Sequence, residues 1–122
     1  MTKIILADDD EDDRVILRHA IVTALEAEDI TAEVECVSDG KELVQKVREG
    51  DYALSFTDRQ MPYDGLRVVQ DIRRTGSAIP LYMVASDPQQ EAVEAGADGG
   101  IVKTYGTRFY EEVRKVIVKH LK

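Results

Sequence analysis

A chain of 122 residues with 43% hydrophobic and 33% charged residues has the size and composition of one globular domain, expected to span residues 1–122 and to bury about two thirds of the surface its unfolded form exposes. The formal charge of −8 argues against a nucleic-acid surface, which needs clustered Lys and Arg, and favours cations and basic partners instead. No apolar run approaches the roughly 20 residues of a membrane helix, and Ile4 to Ala7 is too short for a secretory signal, so the expectation is no membrane association and a cytoplasmic location.

Along the chain, apolar runs of strand length alternate with segments of helical period, the pattern of a parallel sheet wrapped by helices. Lys3 to Ala7 reads as a fully buried strand. Asp10 to Ala27 reads as a helix with Ile16, Leu17, Ala20, Ile21, Ala24 and Ala27 on its inner face. Its start is crowded with Asp10, Glu11, Asp12 and Asp13, which a helix dipole stabilises as solvated charges. Glu33 to Val37 alternates as a strand near a sheet edge does. The only cysteine, Cys36, lies in it, has no partner for a disulfide or thiolate metal site, and is expected to be buried.

Ser38 or Asp39 caps a second helix that turns Leu43, Val44 and Val47 inward and ends at Gly50. Tyr52 to Thr57 is the third strand, Met61 to Gly65 is turn punctuation, and Leu66 to Arg74 is the third helix. Leu81 to Ala85 forms the fourth strand, Pro88 starts a short helix that stops before Gly96, and Gly99 to Val102 is the fifth strand. The last helix, Arg108 to Leu121, packs Phe109, Val113, Val116, Ile117 and His120, with Arg114, Lys115, Lys119 and Lys122 suiting its C-terminal dipole. The implied fold is a doubly wound α/β sheet of five parallel strands.

Such sheets place ligands beyond the carboxyl ends of their strands. Those ends carry Asp8 and Asp9, then Asp58, then Ala85 and Ser86, then Lys103, so three carboxylates and one ammonium converge. The oxygen-rich cavity repels itself unless a cation enters, and Mg²⁺ suits it as a hard ion taking few carboxylates, waters and a phosphate oxygen. An Asp carboxylate is also a nucleophile for phosphoryl transfer, with metal and lysine neutralising the developing charge.

Ile4-Ile5-Leu6-Ala7-Asp8-Asp9, Asp58 followed by Met61-Pro62 and Asp64-Gly65, and Gly96-Ala97-Asp98-Gly99 leading to Lys103 resemble, in order and spacing, the receiver domains of two-component response regulators. The resemblance implies a flavodoxin-like fold in which Asp58 accepts a phosphoryl group from a histidine kinase or histidine phosphotransfer protein. By it, Lys103 contacts that group, while Asp9, Asp58 and the Gln60 carbonyl hold Mg²⁺ and Asp8 acts through water. The signal then passes to a downstream protein target through changed contacts. Receivers usually carry a hydroxyl residue where Ala85 stands, an aromatic where Gly100 stands, and proline in place of Thr104. Ser86 is a candidate substitute for the hydroxyl, Tyr82 and Tyr105 are aromatics close by in sequence, and the bond after Lys103 is expected to be trans. The chain is also short around the fourth helix, which predicts a remodelled output face. The rival reading is a pseudo-receiver that binds a protein partner without phosphorylation.

Overall fold

The computed structural model describes residues 1–122. In chain order the elements are β1 (Lys3–Ala7), α1 (Glu11–Ala27), β2 (Glu33–Val37), α2 (Gly40–Glu49), β3 (Leu54–Asp58), α3 (Gly65–Arg74), β4 (Leu81–Ala85), α4 (Gln90–Ala95), β5 (Gly99–Val102) and α5 (Thr107–Leu121). The sheet is parallel throughout with order β2-β1-β3-β4-β5, so β1 and β3 are neighbours and the strand order reverses between them. The fold is flavodoxin-like, as the alternation of strand and helix periods implies.

Alternate strand residues feed two separate cores, which is why the central strands read as continuous apolar runs. Ile4, Leu6, Leu54, Phe56, Tyr82 and Val84 face one side, where α1 and α5 bring Leu17, Ile21, Phe109 and Ile117. Ile5, Ala7, Leu81 and Met83 face the other, against Leu43, Val68, Val69, Ile72 and Ala92 of α2, α3 and α4. Full burial of such side chains contributes about 1.5–3 kcal/mol each, so both layers clamp β1 and β3 and fix the positions of the residues at their ends.

Local signals set the helix starts. Asp10 caps α1 by accepting from the Asp13 N–H, Asp39 caps α2 by accepting from Lys41, and Asp64 caps α3 by accepting from Leu66. Several expectations shift by small amounts. The buried stripe of α1 is Leu17, Ala20, Ile21, Ala24 and Leu25, while Ile16 and Ala27 are exposed. The sheet meets that helix one position round from the face read from sequence.

Cys36 is exposed, not buried. It lies on β2, an edge strand whose only partner is β1, and the helix covering the sheet there leaves it open. β3 runs to Asp58 because that residue still pairs in register with Val84. At the other end Tyr52 leaves the ladder and donates its hydroxyl to Glu35 at 3.0 Å. α4 begins at Gln90 rather than Pro88 and has six residues, the shortest helix of the five.

Candidate functional site

Asp8 and Asp58 end adjacent central strands at the point where strand order reverses. Both are buried, at 1% and 4% exposure, whereas Asp9 is exposed. Asp8 is held by its surroundings: its carboxylate accepts the Asp10 N–H at 3.0 Å, and Arg14 donates to its carbonyl at 2.9 Å. One carboxylate oxygen from each of Asp8, Asp9 and Asp58 lies within 4.8 Å of the others.

Lys103 arrives from the far end of β5, its N–H bound to the Ala85 carbonyl at 2.8 Å. Its Nζ lies 2.7 Å from Asp58 Oδ1, 3.0 Å from Asp13 Oδ2 and 3.3 Å from Asp8 Oδ2. The bond following it is trans, since the chain has no cis peptide.

Charge dominates this pocket. Burial, reinforced by the neighbouring Asp58 carboxylate, pushes Asp8 up to about 6, against the Asp10 N–H and Lys103, which favour its ionised form. Asp58 is raised too, chiefly by burial, with the Lys103 hydrogen bond opposing. Burial alone would weaken the Lys103 ammonium, but Asp58 and Asp13 more than compensate and hold it well above the usual lysine range. One cation is thus shared among several anionic groups. The residual negative charge and the all-oxygen donor set fit a hard divalent cation such as Mg²⁺.

Two residues join the site without being singled out in the sequence. Asp13, read as a solvated helix-start charge, instead ion-pairs with Lys103. The signal was its position: Asp10 is the cap, so Asp13 sits three residues into the helix, where side chains lean back toward the N-terminus. Against the effect of burial, hydrogen bonds from Tyr105 and Lys103 hold Asp13 below the usual carboxylate range. Tyr105 itself has φ +54° and packs edge-on against Phe109 at 5.0 Å between ring centres. The second residue is Arg59, which lies at the mouth of the cavity beside Asp9 and Gln60.

Gly65 is required by close approach. A Cβ there would run into the Asp58 carbonyl, and the Gly65 N–H bonds the Arg59 carbonyl at 2.9 Å. The start of α3 is therefore pressed directly against the peptide that follows Asp58. Ala85 is buried at the end of β4, and Ser86 follows it, exposed. The cavity, about 720 Å³, is lined by Asp9, Gln60, Asp64 and the segment Asp87 to Glu91, and Ser86 is not part of its wall. Tyr82 points away from the site into the α5 side of the sheet, where its hydroxyl lies 2.6 Å from His120 Nε2.

Comparison with known proteins points in one direction. Residues 4–113 match the family model described as "Response regulator receiver domain". A two-component response regulator of Oryza sativa subsp. japonica, ORR41, is 34% identical over 103 residues, covering 82% of this chain and 78% of that protein. Of two longer curated relatives the chain spans 33% and 46%. Among solved structures, chemotaxis protein CheY4 of Vibrio cholerae is 25% identical with TM-score 0.79, covering 99% of each chain. Response regulator protein TrrA of Thermotoga maritima, solved in complex with Mg²⁺ and BeF, is also 25% identical, with TM-score 0.74 over 95% of this chain and 99% of that one.

Proposed function

The chain belongs to the response regulator receiver domain family, and on that premise we propose that it is a phosphorelay switch whose acceptor is Asp58. The observation that carries this reading is the meeting of Asp8, Asp9 and Asp58 within 4.8 Å, with Lys103 Nζ 2.7 Å from Asp58 Oδ1.

Of the two buried carboxylates, Asp58 is assigned as the nucleophile because its oxygen lies closer to the ammonium, 2.7 Å from Lys103 Nζ against 3.3 Å for Asp8, and because it holds the acceptor position of the family pattern. A carboxylate oxygen attacks phosphorus in the phosphohistidine of a histidine kinase or phosphotransfer protein. The P–N bond breaks, the P–O bond to Asp58 forms, and the histidine nitrogen keeps the electron pair. Lys103 stays beside the transferred group and balances its charge, since a phosphoryl group carries about −1.5 to −2 at pH 7. Asp13 holds the other side of that ammonium and keeps it aimed. Hydrolysis reverses the charge change: water attacks phosphorus and the Asp58 oxygen leaves.

Asp8, Asp9, Asp58 and the Gln60 carbonyl are the residues to hold Mg²⁺, which when bound neutralises phosphoryl oxygens. Asp8 contributes a pre-oriented carboxylate, held by the Asp10 N–H, on a backbone whose carbonyl accepts from Arg14. Output goes to a protein partner, not to nucleic acid, in keeping with a net charge of −8. The setting such a relay requires is the cytoplasm.

The test is intact mass after incubation with a small-molecule phosphodonor and Mg²⁺. The wild-type chain gains one phosphoryl group and the Asp58→Asn variant gains none. A wild type that binds Mg²⁺ but never gains that mass is a phosphorylation-independent binding module instead, and a gain that survives Asp58→Asn moves the acceptor elsewhere.

A further inference from the structure

Arg59 directly follows Asp58, and its backbone is pinned while its side chain reaches away. Its N–H donates to the Val84 carbonyl at 3.2 Å and its carbonyl accepts from Gly65 at 2.9 Å. From that anchor the guanidinium crosses the mouth of the cavity. Nη1 donates to Gln89 Oε1 at 2.8 Å, Nε lies 3.1 Å from Asp64 Oδ1, and Nη2 lies 3.8 Å from Glu91 Oε2. The side chain is a strap from the loop after Asp58 to the first turn of α4.

The far end of the strap is mechanically weak. Gln89 precedes α4 yet gives the helix no side-chain cap, because its carbonyl oxygen is committed to Arg59 and its amide to the Asp87 carbonyl at 2.9 Å. A six-residue helix has little stability of its own, so what holds its ends decides where it sits. Gln89 also covers Gly100 of β5: a Cβ built on Gly100 would stand 3.3 Å from the Gln89 Cβ.

The partners of the guanidinium are a neutral amide and two exposed carboxylates, Asp64 at 55% and Glu91 at 69% side-chain exposure. Exposed pairs of that kind contribute little, and hydrogen bonds to an ionised acceptor are roughly twice as strong as neutral ones. A phosphoryl group within reach of Arg59 would be a stronger partner than any of the three. Lys103 cannot play this part, because its partners are Asp8, Asp13 and Asp58 and none of them lies on α4.

We propose, resting on the phosphoacceptor reading of Asp58, that Arg59 is the positioning residue that reports the state of Asp58 to α4: the guanidinium leaves Gln89 and Glu91 for the phosphoryl oxygens, and the first turn of α4 loses its hold over Gly100. The chain thereby carries its signal through a polar strap on the outside of the sheet.

Amide resonances of Gln89 and Gly100 in ¹⁵N-labelled protein test this, recorded with Mg²⁺ alone and after adding beryllofluoride as the phosphoryl mimic, alongside intact mass with a phosphodonor. In the wild type both resonances shift on adding the mimic and not with Mg²⁺ alone. In Arg59→Ala the mimic-induced shift at Gly100 is lost. Gln89→Ala removes the acceptor without touching the loop after Asp58, gives the same loss, and serves where Arg59→Ala does not fold. A Gly100 shift of wild-type size in either variant, or one produced by Mg²⁺ alone, overturns the proposal, as does a change confined to the resting spectrum. Absence of the mass gain in the wild type itself refutes the acceptor reading on which the proposal rests.

Discussion

Asp8 shows how burying a single carboxylate costs a fold stability. Its folded-state value of about 6 stands above the unfolded 3.8, so between those pH values the native chain holds more protons than the unfolded chain. Stability of the metal-free protein therefore falls as pH rises from about 4 to about 6, by roughly 2–3 kcal/mol from Asp8 alone. Asp58 is raised as well and adds to the same slope. Asp13, Glu28 and Glu35 are lowered, so their contribution grows as pH rises up to the ordinary carboxylate value; for the two glutamates that value, 4.5, lies inside this window, and they oppose the decline at its acid end. Urea midpoints in chelator across this range should show the decline, and Asp8→Asn should flatten it; an unchanged slope in that variant assigns the effect elsewhere. At the same scale, Gly65→Ala forces a methyl into the Asp58 carbonyl and should cost about 3 kcal/mol, at the upper end of overpacking penalties. The check is a lowered denaturant midpoint with an unchanged m-value.

Among the elements, β4 and β5 carry the departures that matter most. Ala85 is buried at 3% exposure where β4 ends, one strand over from Asp58, and has no hydroxyl to offer a phosphoryl oxygen. A hydroxyl donating to a charged acceptor contributes about 1.5–3 kcal/mol, so Ala85→Thr should tighten beryllofluoride binding by roughly tenfold. Titration of the variant against the wild type decides it, and equal affinities place the mimic out of reach of that side chain. The strands also show why so much of the site is legible in the sequence. Asp8, Asp9, Asp58 and Lys103 are located by strand ends, and strand ends follow from apolar runs that any two-layer sheet must bury. Asp13 and Arg59 are not located that way. Their roles depend on where a long or backward-leaning side chain lands on a different element, which no periodicity encodes. Cys36 fails for a related reason: alternation identifies an edge strand but not how far the helix above it extends.

At the scale of the whole molecule, the two cores act as vices on either side of β1 and β3, and surface ion pairs tie the ends of distant helices. Glu28, just past α1, accepts from Arg114 at 2.7 Å and from Lys122 at 2.8 Å, so basic residues that suit the α5 dipole also clasp α1 to α5. The clasp lies at the opposite end of α1 from Asp13. α1 is thus fixed at both ends by charges from the last fifth of the chain.

That arrangement has a consequence for how the chain comes into being. Lys103 and Asp8 are 95 positions apart, so as the polypeptide is synthesised the acid pair and Asp58 exist before their counter-charge emerges. Domains generally fold as units, and here the carboxylates that follow β1 and end β3 gain their pairing with Lys103 only when β5 docks. Completion of the sheet by β5 and the pairing of Lys103 with Asp8 and Asp58 are one event.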